Sequence, residues 1–191
     1  NYGSITVDGG GTVGGLAATC YNAVNCRNYG TVTASGTKVG GICAELSAFG
    51  NSADEERGVI SGCANYGTVS AGNQAGGLVG ELRGIMEDCY NLGTVKVEKT
   101  TVGGLVGIAY NISSYTDKVG VFNSYHAGSV QYGAEEAEPV AGHLIGSLVG
   151  RGDSEKALGS LYYQQVGILP AIGSYDAGDH AAAMTLTAMQ A

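Results

Sequence analysis

The sequence predicts an all-β fold, a right-handed parallel β-helix (β-solenoid) of about five three-stranded coils closed by a C-terminal cap. Three observations carry this: two motifs that recur along the chain, period-2 apolar columns inside them, and 34 glycines against 2 prolines.

The first motif, NYGSITV at Asn1, recurs as NYGTVTA at Asn28, NYGTVSA at Asn65, NLGTVKV at Asn91 and, degraded, HAGSVQY at His126. Unit starts at 1, 28, 65, 91 and 126 leave 26 to 37 residues per unit, the length of a solenoid coil with variable loops. Ile5, Val32, Val69, Val95 and Val130 share one column. Val7, Ala34, Ala71, Val97 and Tyr132 share the column two residues on, the alternation of a half-buried strand. The second motif reads TVGGLAA at Thr12, KVGGICA at Lys38, QAGGLVG at Gln74, TVGGLVG at Thr101 and VAGHLIG at Val140, which aligns Leu16, Ile42, Leu78, Leu105 and Leu144. A third block aligns Ile60, Met86, Val121 and Leu158 and ends on Cys26, Cys63, Cys89, Ser124 and Leu161.

Strands this short cannot bury an apolar face alone, but stacked about 4.8 Å apart in successive coils they enclose a filled interior. The columns Gly3, Gly30, Gly67, Gly93, Gly128 and Gly14, Gly40, Gly76, Gly103, Gly142 mark corners that need positive φ or the absence of Cβ. Asn1, Asn28, Asn65 and Asn91 are expected at a corner, in the left-handed region and stacked as an amide ladder. The right hand follows from the crossover preference of parallel strands. Residues 1–163 are read as the repeats and 164–191 as a cap over the last coil's open edges. The chain opens inside a motif, at Asn1-Tyr2-Gly3, and is read as a segment of a longer protein.

A net charge of −8 provides no basic footprint for nucleic acid, and no apolar run approaches the roughly 18 residues that cross a bilayer, so neither nucleic acid nor direct membrane insertion is expected. Gly9, Gly11 and Gly14 in DGGGTVGGL fit a dinucleotide fingerprint. The chain continues as LAATCYN from Leu16 rather than as an amphipathic helix, with no acidic residue about 20 positions on, so no cofactor is expected. His126, His143 and His180 fall in unrelated columns, and no Ser or Cys stands near them in a triad-like setting.

Candidate binding residues lie in the long inserts of units two and four, LSAFGNSADEER and IAYNISSYTDK, which should emerge from one corner two coils apart. They offer Phe49, Asn51, Asp54, Tyr110, Asn111, Tyr115 and Asp117, aromatic faces beside amides and carboxylates that suit a glycan or peptide. Asp54 and Asp117 could hold Ca²⁺; no other metal ligand set is expected. Arg151-Gly152-Asp153 matches an integrin-recognition tripeptide, against which stands the ordinary reading of a polar turn between strands. Glu45 and Glu81 occupy equivalent positions in adjacent coils, a pair of the kind glycosidases use, but one strand face without a groove favours exposed surface charge.

The units resemble the GLUG motif of bacterial cell-surface proteins, some of them IgA-peptidase-like. Gly77-Leu78-Val79-Gly80 and Gly104-Leu105-Val106-Gly107 carry its core, and Asp88-Cys89-Tyr90-Asn91 with Gly93-Thr94-Val95 its adjoining segment; His143, Leu92 and Ala127 depart from it. The resemblance implies an extracellular, wall-associated, non-catalytic adhesin, stalk or ligand-presenting array whose partners are host glycans or proteins and its own neighbouring domains. The alternative is a polysaccharide lyase or hydrolase on a β-helix scaffold, disfavoured by the 9 basic residues available for uronate.

Five cysteines without a C-x-x-C pair, three of them in one inward column, are expected to be reduced, since in-register parallel neighbours point their Cβ atoms the same way. Titrating the denatured protein without reductant should therefore find all five thiols; a substantially smaller number would overturn this expectation.

Overall fold

In the computed structural model, which describes residues 1–47, 58–110, 120–133, 135–136, 144–146, 149–152, 158–159, 161–164, 173 and 181–184, the chain winds as an all-β parallel solenoid with five strands per coil rather than three. The first coil holds β1 (Ile5–Val7), β2 (Thr12–Gly14), β3 (Ala17–Cys20), β4 (Asn22–Val24) and β5 (Arg27–Asn28). The second repeats them at Val32–Ala34, Lys38–Gly40, Cys43–Leu46, Val59–Ser61 and Ala64–Asn65. Equivalent strands pair in parallel to form five sheets, here A to E in the order of β1 to β5. Register follows the repeat: Ile5, Val32, Val69, Val95 and Val130 are successive partners.

The second motif contains two strands because its glycine pair folds the chain sharply between sheets B and C. A Cβ on Gly76 would lie 2.0 Å from the Val79 carbonyl oxygen, and one on Gly77 would lie 2.1 Å from that of Gly104. The last glycine of the motif has a related reason. Gly80 lies where the strand of sheet C passes so close to that of sheet B that a Cβ would meet the Val39 backbone at 3.1 Å. Sheet C is thereby covered on both faces, and Val79–Leu82 and Val106–Ala109 are buried throughout. One core, with Val32, Val69, Val95, Val39 and Val102, fills the space of sheets A and B. A second, with Leu78, Leu105, Ile60, Met86 and Cys89, lies beyond sheet C.

The third block also divides in two, at a left-handed residue: Asn25 (φ 54°), Gly62 (61°), Asp88 (53°) and Asn123 (45°). This corrects the expectation that Asn1, Asn28, Asn65 and Asn91 occupy the left-handed region. The ladder expected of those four is present. Asn1 Nδ2 donates to Asn28 Oδ1 (2.8 Å), Asn28 Nδ2 to Asn65 Oδ1 (2.7 Å) and Asn65 Nδ2 to Asn91 Oδ1 (2.8 Å). Each of these three amides gives its other hydrogen to a corner carbonyl, of Gly3, Gly30 or Gly67.

In the fifth coil the register differs from the expected alignment. Leu144–Gly146 pairs with Thr101–Gly103, so LIGSLVG and not VAGHLIG is the equivalent of TVGGLVG, and Gly146 rather than Gly142 occupies the glycine column. Val149 accordingly pairs with Val106. The two stretches overlap and both alternate apolar and small residues, so only pairing to the preceding coil separates them. At the C-terminal side, Ala181–Met184 runs parallel to Leu161–Gln164 and extends sheet E by one strand. Among the described residues no helix is long and apolar enough to cross a membrane.

His126 stands where the ladder would place a further Asn and is fully buried. Asn91 Nδ2 lies within hydrogen-bond distance of Gly93 O, Gly104 O and the His126 ring Nδ1 (3.1 Å), and Nδ1 also lies 3.2 Å from the Asn91 carbonyl oxygen and 3.4 Å from Gly128 N, while Nε2 has no partner among the described residues. Burial pushes the imidazole down to about 4, the bond to Asn91 opposing it only in part. A depressed His is fully stabilising above the unfolded value near 6.5, and its contribution is lost as pH falls toward 4, by about 3 kcal/mol in all. His126→Asn should resume the ladder and narrow the gap in Tm between pH 7 and pH 4.5; an unchanged gap would refute this role.

Candidate functional site

Among the described residues, the coils gather charge at depth at the mouth of the B–C fold in coils two and three. Glu45 and Glu81 are register partners in sheet C, as their spacing predicts. Lys38 opens the sheet B strand of coil two and is carried across by the Gly40-Gly41 fold, so that Nζ lies 3.0 Å from Glu45 Oε2 and 2.6 Å from Glu81 Oε2. Arg83 completes the cluster, with Nε 2.7 Å and Nη2 2.6 Å from Glu81 Oε1. Ser47 Oγ donates to Glu45 Oε1 at 3.1 Å.

Glu81 is therefore not exposed surface charge: its side chain is only 4% accessible, against 42% for Arg83. It tolerates burial because each oxygen meets a cation, and the Arg83 guanidinium lies 4.6 Å from the Tyr110 ring centre. Partial burial works against charge on Glu45, but the Lys38 ammonium, with Ser47 and Arg83 behind it, outweighs this and holds the carboxyl below the usual range. Lys38 shows the mirror effect: burial disfavours its charge, yet the bonds to Glu81 and Glu45 raise it above the ordinary value. A glycosidase pair needs one carboxyl kept protonated near neutrality. This pair is bridged instead by one ammonium.

Among the residues nominated from sequence, Tyr110 is placed at this corner, half-buried and hydrogen-bonded through its amide to Leu82 O (3.0 Å). Both long inserts connect sheet C to sheet D, since Leu46 and Ala109 end sheet C strands and Val59 and Gly120 open sheet D strands. Phe49, Asn51, Asp54, Asn111, Tyr115 and Asp117 lie outside the described residues. Arg151 and Gly152 belong to the sheet C strand Val149–Gly152, Arg151 in register with Ile108, and so lie in a strand rather than a turn; Asp153 lies outside the described residues. Sequence alone does not single out Ser47 and Arg83 for this cluster. Lys38 is the sole charged member of the column Thr12, Lys38, Gln74, Thr101, which is the one sign of its role that the sequence carries.

A row of tyrosines runs beside the amide ladder. Tyr2 stacks on Tyr29 (4.7 Å), Tyr29 on Tyr66 (4.6 Å) and Tyr90 on Tyr125 (5.2 Å), with Tyr66 and Tyr90 meeting edge-on where Leu92 interrupts the column. Both faces of the Tyr29 ring are covered by other rings. The cysteines are all free thiols. Cys63 Sγ accepts from Cys26 N (3.3 Å), Cys89 Sγ from Cys63 N (3.4 Å) and Ser124 Oγ from Cys89 N (3.1 Å). Their column supplies a heteroatom acceptor as well as apolar bulk, which is why Ser can follow three Cys.

Removing Lys38 should leave two carboxylates competing for Arg83. Lys38→Met is expected to destabilise the fold by about 2 kcal/mol, and Lys38→Met with Glu81→Gln to recover most of that loss. Urea unfolding measures both; a single variant as stable as the parent would show that the cluster is not structural.

No protein-family model matches the chain, and no curated protein and no solved structure is significantly similar to it.

Proposed function

We propose that the chain is a non-catalytic module of a bacterial cell-surface protein of the GLUG-motif kind, a rigid repeat array that holds ligand-binding surface away from the cell wall. The observation that carries this reading is the fate of the ionisable groups at depth. Glu45 and Glu81 are neutralised by Lys38 and Arg83, and buried His126 ends an amide ladder, so these groups serve the scaffold. The variable chemistry is carried by the long segments that coils two and four insert in sequence between their sheet C and sheet D strands. A solenoid suits this division, because per-coil inserts need not disturb the stacked strands. Host glycans or proteins are the partners such a surface would meet, and extracellular display is the location the resemblance implies.

The reading requires binding without turnover. Incubation with pectin and hyaluronan should release no reducing ends and no unsaturated products, while an array of host and bacterial glycans, together with immobilised matrix proteins, should return at least one saturable ligand. Sustained product release at enzyme-dependent rates would replace it with the lyase or hydrolase alternative.

A further inference from the structure

The outer face of sheet A holds a groove of about 300 Å³ that crosses successive coils, from Val7 and Asp8 in the first to Gly133 in the fifth. Thr33, Ser70 and Lys96 are successive register partners on its floor, about one strand spacing (4.8 Å) apart. Asp8 and Glu98 stand at its side.

The groove is built rigidly. Ser35 Oγ accepts from Gly9 N (2.9 Å) and donates to Gly9 O (3.0 Å), tying the first two turns of the wall together. Gly72 N, Glu98 N and Gly133 N then bond to Ala34 O (3.1 Å), Ala71 O (3.2 Å) and Val97 O (2.8 Å), linking each wall turn to the coil before it. The functional groups on the floor are uncommitted: among the described residues, the Thr33 and Ser70 hydroxyls have no hydrogen-bond partner and Lys96 has no ion pair. A preformed surface with unspent donors and acceptors binds without an ordering penalty.

The chemistry of these groups selects the ligand. Hydroxyls donate and accept, the ammonium donates and the two carboxylates accept, while Ala34, Ala71 and Val97 turn their side chains inward to the core. That set matches a chain of uncharged, hydroxyl-bearing rings repeating along one direction. An anionic polymer would face Asp8, Glu98 and the net charge of −8. An extended peptide would find no free strand edge here, because the floor strands pair with neighbours on both sides.

We propose that this groove binds a neutral linear polysaccharide, its chain lying along the solenoid axis with successive sugars over successive coils. The proposal rests on the reading of the module as a ligand-binding surface, and places a glycan site on sheet A, apart from the C–D inserts.

The test is calorimetric titration of the whole chain with cellohexaose, xylohexaose and mannohexaose, with a heparin hexasaccharide as the anionic arm. Three variants accompany it: Ser70→Tyr to fill the groove, Lys96→Ala with Glu98→Gln to strip its polar ends, and replacement of residues 48–57 by a short Gly-Ser link. At least one neutral hexasaccharide should bind the parent, and both groove variants should weaken it roughly tenfold or more while circular dichroism stays unchanged. The shortened insert probes the C–D corner separately, and loss there alone would assign the ligand to that corner. If Ser70→Tyr does not fold, the polar double variant decides alone. No binding by any neutral hexasaccharide, binding of heparin only, or binding that survives the groove variants overturns the proposal. Loss confined to the shortened insert overturns it too, while leaving the wider ligand-binding reading in place.

Discussion

The amide ladder from Asn1 through Asn28 and Asn65 to Asn91 is the contact on which the other features of the coil depend. A buried amide is tolerated only when its donors and acceptors are satisfied, and here each of the first three has one hydrogen bonded within its own corner and the other bonded to the next coil. A slip of one residue between coils would break the inter-coil set, so the ladder fixes register as well as stacking. The glycine pair makes room for it. A Cβ on Gly41 would lie 2.6 Å from Asn65 Cγ, and one on Gly77 would lie 2.2 Å from Asn91 Nδ2. Asparagine and glycine columns twelve or more residues apart in sequence are thus two halves of one fit.

The neighbouring corner, between sheets D and E, is held by a different polar column. A left-handed residue turns the chain at Asn25, Gly62, Asp88 and Asn123, and the next side chain bonds the carbonyl two residues back: Cys26 to Val24, Cys63 to Ser61, Cys89 to Glu87 and Ser124 to Phe122. Thiol and hydroxyl are interchangeable in this task, whereas a plain hydrophobe would leave the corner amide of the preceding coil unpaired. With both corners fastened by side chains, the C–D connection is free to vary between one residue in the first coil and a long insert in the second. The scaffold can therefore change its outer chemistry without losing its period.

The same logic separates groups that maintain the solenoid from groups available to a ligand. Glu81 lies deep but is bonded on both oxygens; Tyr29 is aromatic and partly exposed, yet both ring faces are covered. Neither is free to recognise anything. Thr33, Ser70 and Lys96 look less promising in sequence, being ordinary polar residues alternating with valine, and yet they line a concave surface with their functional groups unengaged. Availability, more than residue type, distinguishes the two sets.

The period, the inward columns, the shared corner of the two long inserts and the Glu45–Glu81 register were legible in the sequence, because each is a local pattern repeated at equivalent positions. Contacts between coils were not. Five strands per coil, the choice of LIGSLVG over VAGHLIG in the last repeat, the bridging of both carboxylates by Lys38 and the groove on sheet A all depend on which backbones come within contact distance. A motif records that Gly80 is small, but only the approach of sheet C to sheet B says why. Repetition writes the columns into the sequence, while closure of each coil on itself decides which of their faces are buried, paired or left open to a partner.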